Sequence, residues 1–294
     1  MNRAAFALSI LYLTIWLNSS GEEAPKKLPA PVLCGKLPKV VDESSGLIKS
    51  KRYPDKDVFW THNDSGDTAR VFAVDSSGKL LRIVDVPHAE NVDWEELTMD
   101  EKGRLIACDI GDNNRDNNGG KRMGVVLYRF PEPDAFDKNE KPPEPEIFRF
   151  HYPKGEGPFD AEGVFARAGS AYLFSKQIEG TSCFKLPMPE KAPAESVTMT
   201  VAARTKAFNV VTGAALSNDG RHLALINYLS VSVLDLPEPF EALKPTAVGE
   251  VPLFESPRRT VNAFLGQTEA VAWDSDDLVL TTEGGDIFRS AKCK

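Results

Sequence analysis

Short apolar runs separated by turn residues follow one another along the chain after residue 30, without the 3.6-residue period of an amphipathic helix. One stretch, WEELTMD, returns four more times in variant form. The five copies are SSGLIKS from Ser44, WEELTMD from Trp94, AEGVFAR from Ala161, VTGAALS from Val211 and TEAVAWD from Thr268. Five copies predict five repeated units.

Further apolar runs follow each copy. The second runs are DVFWTHND from Asp57, RLIACDIGD from Arg104, AYLFSK from Ala171, HLALINY from His222 and DLVLTTEGG from Asp277. The third runs are RVFAVD from Arg70, VVLYRF from Val125, SCFKLP from Ser182, SVSVLDL from Ser230 and DIFRS from Asp286. The fourth runs are LLRIVDV from Leu80, EIFRFHYP from Glu146, VTMTVAA from Val197 and AVGEVPLF from Ala247. Four strands per unit are typical of a propeller blade, so the chain is predicted to be an all-β, five-bladed β-propeller with four-stranded blades.

The fifth unit ends after its third run, and its missing strand is predicted at the other end of the chain. PVLCGKLP, residues 31–38, precedes the first copy where a fourth strand belongs. Pairing it with DIFRS closes the ring and removes two exposed sheet edges. The same pairing brings Cys34 and Cys293 within the Cα separation of about 5.5 Å that a disulfide needs. Cys108 and Cys183 fall in different blades, where two buried thiols and a bridge both stay open.

The first 20 residues have the composition of a secretory signal peptide, with a basic start, an apolar run and small residues beyond it. The apolar run, residues 4–17, is too short to cross a membrane comfortably; an uncleaved anchor is the alternative. A Lys/Pro-rich linker is expected at 21–30 and the propeller domain at 31–294. The mature chain is expected to be secreted or periplasmic, monomeric and without a membrane span.

A net charge of −8 argues against non-specific nucleic-acid binding, which needs a basic face, and suits cation binding instead. Other enzyme patterns are missing from the sequence: GxSxG, HExxH and a glycine-rich phosphate loop after a strand do not occur. The four histidines have no ligand spacing. Serine nucleophiles and catalytic zinc are therefore disfavoured.

One position of the repeated stretch carries an oxygen-bearing side chain in every copy. These residues, the oxygen column, are Ser45, Glu95, Glu162, Thr212 and Glu269. Because first strands line the channel of a propeller, the column is expected at the axis, with Glu95 rather than the adjacent Glu96 facing inward. Two carboxylates about 5 Å apart repel by about 3 kcal/mol at an effective dielectric of about 20. A calcium ion, which accepts about six to eight oxygen ligands, is predicted to neutralise them. The alternative is a hydrated, partly protonated channel with Lys176 or Arg115 as the counter-charge.

Loops after the second strands are expected to open on the face where the first strands begin. They carry His62, Asn63, Asp64, Asp67, Asp109, Asp112, Asn113, Arg115, Lys176 and Glu283. In a phosphate site, Arg115 and Lys176 would clamp the phosphate oxygens, and His62 or Asp64 would activate water. Asp and Asn before glycine are also ordinary turn formers, so structural turns are the alternative. The acids two residues upstream of the column, Glu43, Asp93 and Asp160, are expected either around the ion or on strand-start amides.

The column in its contexts SSGL, WEEL, AEGV, TGAA and TEAV resembles the calcium-activated nucleotidase (apyrase) family of five-bladed propellers. The resemblance implies one central calcium ion and hydrolysis of nucleoside di- and triphosphates. It covers the blade order and the column; the nucleotide-binding loops have no counterpart, and Thr212 replaces a serine. The segments ESSGL, THNDSGD, DWEEL, DIGDNNR and LYRFPEP are similar to exported bacterial propellers, mostly uncharacterised, that are loosely grouped with phytase-like and lactonase-like proteins. This second resemblance implies export and fold.

Together these features predict calcium-dependent hydrolysis of a phosphate ester or anhydride, a small anionic substrate, at the channel mouth. The alternative is a non-catalytic propeller whose calcium ion is structural and whose faces bind a protein or glycan partner. The charged mouth loops favour the enzyme, and the lack of a clear base and nucleophile pair favours the binding protein. A propeller fold does not decide between them.

Overall fold

Five sheets of short strands are arranged as blades around a central axis in the computed structural model, which describes residues 28–112, 122, 124–236, 259–262 and 265–290. Each blade contains four antiparallel strands, and one blade carries a short additional strand. The predicted all-β, five-bladed propeller is confirmed. The predicted signal peptide at 1–20 and most of the predicted linker at 21–30 lie outside the described residues.

Consecutive strands of each blade pair in order from the axis outward. Blade 1 contains β2 (Ser44–Lys49), β3 (Phe59–Asn63), β4 (Arg70–Val74) and β5 (Leu80–Asp85). Blade 2 contains β6 (Trp94–Met99), β7 (Arg104–Asp109), β8 (Gly124–Pro131) and β9 (Glu146–His151). Blade 3 contains β10 (Ala161–Arg167), β11 (Ser170–Ser175), β12 (Thr181–Pro187) and β14 (Thr200–Thr205). Blade 4 contains β15 (Gly213–Leu216), β16 (His222–Asn227), β17 (Ser230–Asp235) and β18 (Arg259–Asn262). Blade 5 contains β19 (Thr268–Asp274), β20 (Asp277–Thr282), β21 (Asp286–Arg289) and β1 (Val32–Lys36).

The ring is closed by the N-terminal strand, as the sequence predicts. Strand β1 pairs antiparallel with β21 and is the outer strand of blade 5. The N–H of Leu37 then donates to the carbonyl of Gly285 at 2.7 Å, which continues the pairing beyond the strand. Blade 5 thus contains strands from both ends of the described chain.

The cysteines are placed consistently with this closure. Cys34 lies in β1, at the point where the register with β21 shifts. Cys293 lies outside the described residues, so the Cys34–Cys293 bridge stays a prediction. Cys108 and Cys183 are free and buried in the cores on either side of blade 3, which decides between the two alternatives for this pair.

Two fourth strands differ from the prediction. In blade 4 the fourth strand is β18, at 259–262, rather than the run predicted from Ala247, which lies outside the described residues. In blade 3 the predicted run divides in two: β13 (Val197–Thr198) pairs in parallel with β9 of blade 2, and β14 completes blade 3. The chain crosses from one blade to the next at Met199, whose N–H donates to the carbonyl of His151 at 3.0 Å.

The core consists of five apolar clusters, one between each pair of neighbouring blades. Trp60 of blade 1 and Trp94 of blade 2 are completely buried in one of them. Because every blade is covered on both faces, a strand such as β3 is buried along its whole length. This burial explains why the apolar runs in the sequence are continuous. In a sheet with one solvent-exposed face, apolar and polar residues would alternate.

The first strands form the inner wall of the ring. Strands β2, β6, β10, β15 and β19 each contact the next one around the axis, and β19 contacts β2. Their starts, and hence the oxygen column, lie at one mouth of the channel. The part of the chain that the structure describes contains no helix long and apolar enough to cross a membrane.

Candidate metal centre at the channel mouth

A β-bulge lies at the oxygen column. In β2, Ser44 pairs with Asn63 and Gly46 with His62, so Ser45 is the extra residue of the strand. The extra residues of the other bulges are Glu95 in β6, Glu162 in β10 and Glu269 in β19. A bulge re-aims a side chain that regular pleating would turn elsewhere. The repeated sequence position thus corresponds to a repeated backbone distortion.

The column side chains differ in their contacts. The hydroxyl of Ser45 donates to Oε2 of Glu95 at 3.1 Å, and the hydroxyl of Thr212 donates to the carbonyl of Thr268 at 2.8 Å. Glu95 and Glu162 are 2% and 3% exposed. Both hydroxyls are therefore hydrogen-bonded to the next blade, and the acidic groups of the column are its carboxyls.

Main-chain hydrogen bonds bring the ends of the second strands to the same mouth. The N–H of Asp64 donates to the carbonyl of Glu43 at 2.9 Å, and the N–H of Lys176 donates to that of Asp160 at 2.8 Å. The loops after β3 and β11 are thereby fixed beside the starts of β2 and β10. This confirms the expected placement of the loops after the second strands.

Among the described residues, five carboxylates at the mouth form two overlapping groups. Asp64, Asp93 and Glu95 each offer an oxygen within 4.8 Å of the others, and so do Glu95, Asp160 and Glu162. We name them the Asp64 group and the Asp160 group. Both can hold a metal ion, and they share Glu95. Of the predicted column, Glu95 and Glu162 enter these groups.

Glycine at position 111 shapes the Asp64 group. The N–H of Gly111 donates to the carbonyl of Asp93 at 3.1 Å, which lays the loop after β7 against the carboxylates. A Cβ at this position would lie 2.3 Å from Oε1 of Glu95 and 2.6 Å from Oδ2 of Asp93. Any larger residue would therefore displace the two carboxylates. No repeat or motif in the sequence marks this glycine.

Burial and mutual repulsion shift the pKa values of these acids upward. Burial, reinforced by the Glu162 and Asp64 carboxylates, raises the pKa of Glu95 well above its ordinary value. Burial raises the pKa of Glu162 to about 8, although Lys176 opposes the shift. Burial also raises the pKa values of Asp64 and Glu269 to about 7. A cation among these oxygens would relieve the cost of ionising them.

Lys176 provides one positive charge inside the mouth. Its ammonium group forms an ion pair with Oε1 of Glu162 and lies 5.3 Å from the ring centroid of Tyr228. Burial lowers the pKa of Lys176 and the Glu162 carboxylate raises it, with a net upward shift. The lysine is therefore charged, and it faces the Asp160 group as predicted for a counter-charge.

The predicted catalytic histidine has an interior position. His62 is completely buried; its Nδ1 lies 2.9 Å from the carbonyl of Asn63, and its ring packs edge-on against Trp94 at 5.5 Å. Burial lowers the pKa of His62 to about 4, so the imidazole is neutral. Its position is interior rather than at the solvent-facing mouth. Arg115 lies outside the described residues.

Several of the polar loop residues have structural contacts. Asp67 accepts hydrogen bonds from Asn63 at 2.8 Å and from Nε of Arg70 at 2.9 Å. Asp109 accepts the N–H of Asp93 at 2.9 Å and pairs with Arg122 at 2.7 Å. These contacts fit the alternative that sequences such as NDSGD form turns.

Two of the three acids upstream of the column, Asp93 and Asp160, lie in the carboxylate groups. Oδ1 of Asp160 accepts the N–H of Asp112 at 3.0 Å, and the side chain also belongs to the Asp160 group. Asp93 belongs to the Asp64 group and supports the adjacent loop through its main-chain carbonyl. In the sequence these acids are recognisable because each lies two residues before a residue of the oxygen column.

Glu96 differs most from expectation. Its Oε1 accepts the N–H of Leu97 at 3.0 Å, and its Oε2 accepts the N–H of Ala214 of blade 4 at 2.9 Å. Blades 2 and 4 are not neighbours, so this side chain reaches across the axis. The expectation that Glu95 rather than Glu96 turns inward is thus incomplete. The bulge interrupts the alternation of the strand, and two consecutive glutamates turn into the ring.

No protein-family model matches the sequence, and no curated protein matches it. Among solved structures the chain is similar to glutaminyl cyclase from Myxococcus xanthus, with 10% identity, 91% of this chain and 97% of that chain covered, and a TM-score of 0.54. It is also similar to the PQQ-bound aldose sugar dehydrogenase from Streptomyces coelicolor, with 11% identity, 90% and 98% covered, and a TM-score of 0.48. The likeness to the cyclase shows the propeller fold alone. The resemblances to nucleotidases and to phytase-like propellers stay predictions.

Proposed function

We propose that this protein is a calcium-dependent hydrolase that cleaves a phosphate ester or anhydride at the acidic mouth of the propeller. The observation that carries the proposal is the sharing of Glu95 by two groups of carboxylates in one confined site. Such a concentration of buried acids is costly without a cation. The exported, calcium-rich surroundings predicted from the sequence would supply one.

The donor set favours a hard cation. The Asp64 and Asp160 groups offer carboxylate oxygens only, and within the described residues no His or Cys joins either group. Calcium tolerates irregular oxygen geometry and is therefore preferred over zinc or copper, which favour nitrogen and sulfur ligands. Gly111, which has no side chain, lets the carboxylates of Glu95 and Asp93 pack against the loop after β7.

Lys176 is the residue we assign to substrate binding. Its ammonium group lies at the edge of the Asp160 group, where it can hold one oxygen of a phosphoryl group. The bound cation would polarise a second phosphoryl oxygen as a Lewis acid. In the hydrolysis, the oxygen of a water molecule bonds to phosphorus, the bond to the leaving oxygen breaks, and a proton from the water passes to that oxygen. Arg115 remains a predicted second clamp from the loop after β7.

A phosphate-release screen tests the proposal. The wild-type protein is assayed with nucleoside di- and triphosphates, phytate and simple phosphoesters, each in calcium and in excess chelator. We expect turnover of at least one class in calcium and its loss in chelator. Glu95→Gln should lose at least about 100-fold in kcat/KM, since a Lewis-acid cation supplies several kcal/mol. Asp276→Asn, a matched change in the exposed turn after β19, should leave the activity unchanged.

The non-catalytic alternative is separated by the same samples. A calcium-dependent rise in Tm with no turnover of any substrate would refute the hydrolase and retain a structural ion. Equal Tm values for the wild type and Glu162→Gln, in calcium and in chelator, would refute the cation site itself. In that case neither the calcium-dependent hydrolase nor the structural calcium ion is supported.

A further inference from the structure

We propose that the mouth holds two divalent cations rather than one, with Glu95 as the bridging ligand between them. One cation lies in the Asp64 group and the other in the Asp160 group. The inference rests on the proposed function, because the substrate it implies is a phosphoryl group that contacts both ions. It also replaces the single central ion predicted from the oxygen column.

The spacing of the carboxylates fits two positions. Within each group all ligand oxygens lie within 4.8 Å of one another, the span that a calcium ion with bonds of about 2.3 to 2.6 Å can bridge. Asp64 and Asp160 belong to one group each, and the five described carboxylates do not form a single group around one point. Glu95 belongs to both groups. A bridging carboxylate between two ions is the simplest arrangement that uses all five.

An unpartnered oxygen supports the second position independently of the spacing. Glu162 is 3% exposed, and its Oε1 is paired with Lys176. Its Oε2 is buried and accepts no hydrogen bond from the described part of the chain. Burying a carboxylate oxygen without a partner destabilises the folded state, because the oxygen loses its hydrogen bonds to water and forms none within the protein. A cation in the Asp160 group supplies the missing partner.

Gly111 fixes the carboxylates of the first position. A Cβ there would lie 2.3 Å from Oε1 of Glu95 and 2.6 Å from Oδ2 of Asp93, so the glycine lets both carboxylates pack against the loop after β7. Asp64 and Asp160 belong to one group each. The two positions can therefore be blocked separately through these two residues.

The two groups carry more negative charge than one divalent cation neutralises. They contain five carboxylates, and Lys176 adds one positive charge, which leaves four negative charges against the two positive charges of a single ion. Glu269, whose carboxylate also acts on Glu162, adds to this excess.

A pair of ions suits phosphoryl chemistry. Two cations about 3.5 to 4 Å apart can contact the attacking and leaving oxygens of an in-line displacement. Lys176, beside the Asp160 group, is placed to bind the remaining phosphoryl oxygen. The substrate class is then a phosphate monoester or anhydride with an accessible terminal phosphate, since a diester would present one charge fewer to this site.

Equilibrium dialysis of chelator-stripped protein against calcium tests the stoichiometry. We expect two ions per chain at saturation in the wild type and in the control Asp276→Asn. Asp64→Asn and Asp160→Asn should each bind one ion, and Glu95→Gln should lose both. Gly111→Ala, which would displace the shared Glu95 carboxylate, should lose both ions, as Glu95→Gln does. Far-ultraviolet circular dichroism checks that each variant is folded.

The outcomes separate this inference from the proposed function. One ion per chain in the wild type, with phosphate release retained, would overturn the two-cation centre and leave the hydrolase. Two ions without turnover would support the centre and overturn the hydrolase. No bound calcium up to about 5 mM, above the range of weak extracellular sites, would overturn both. The pair would also be refuted if Asp64→Asn and Asp160→Asn removed the same ion, because both residues would then belong to one site. A terbium titration followed by luminescence repeats the count with a second probe.

Discussion

At the scale of single residues, the repeated bulge determines what the first strands can do. Regular pleating sends consecutive side chains to opposite faces. The extra residue in β6 lets Glu95 face the mouth while Glu96 crosses the axis to Ala214. The equivalent positions in the other blades are Gly46, Gly163, Gly213 and Ala270. These small residues allow the first strands to approach closely, and Glu96 is the one long side chain at this level.

We predict that Glu96→Ala strongly destabilises the protein. The change leaves the buried N–H groups of Leu97 and Ala214 without an acceptor and creates a cavity on the axis, which together cost about 3 to 5 kcal/mol. For a chain of this size we expect Tm to fall by about 10 °C in a thermal melt followed by circular dichroism. Glu96→Gln keeps one acceptor oxygen and should lose less. A Tm within about 1 °C of the wild type for the alanine variant would contradict the role of Glu96.

The sequence predicts the residues of the site better than their contacts. Glu95 and Glu162 are recognisable because their position repeats, and Asp93 and Asp160 because their offset repeats. Gly111 carries no such signal, since its closeness to the carboxylates depends on how the loop after β7 folds. Glu96 could not be assigned either, because a bulge breaks the alternation on which the assignment depends. His62 lies in β3, which is buried along its whole length. This burial comes from packing against the neighbouring blade, and the sequence of the strand itself does not indicate it.

At the scale of the strands, repetition in the sequence fixes the blade order because every unit must bury both faces against its neighbours. The first three strands of each unit follow this rule closely. The fourth strands follow it less well, since they form the outer edge, where fewer contacts select the register. This explains why the last run of blade 3 divides between two sheets and why β18 lies after the predicted run.

We predict that removing β1 opens the ring. A variant lacking residues 1–37 loses the pairing with β21 and leaves the outer edge of blade 5 exposed. Exposed edges invite pairing between chains, so we expect a lower Tm and a shift to larger species in size-exclusion chromatography. A variant lacking residues 1–27 retains β1 and serves as the control. A monomeric variant lacking 1–37 with the Tm of this control would show that β1 is dispensable for closure.

At the scale of the whole molecule, acidic charge is concentrated where the first strands begin. The net charge of −8 describes the chain as a whole, whereas the mouth places buried and half-buried carboxylates from three blades within one site. Without a cation, part of this charge is suppressed by protonation, because burial raises the pKa values of Glu162, Asp64 and Glu269. Protons and cations therefore compete for the same oxygens.

This competition predicts a pH-dependent stability that calcium removes. A carboxyl with a pKa raised to about 8 in the folded state holds a proton that the unfolded chain has already released, so stability falls as pH rises through that value. Between pH 6.5 and 8.5, Glu162 alone accounts for about 2 kcal/mol, and we expect the Tm of chelated protein to fall by about 5 °C. This window lies above the ordinary pKa of His62, which stays neutral throughout. In calcium the oxygens bind the ion instead of protons, so the rise in Tm on adding calcium should be larger at pH 8.5 than at pH 6.5. Glu162→Gln should flatten the pH dependence in chelator, and an equal slope in this variant and the wild type would refute the linkage.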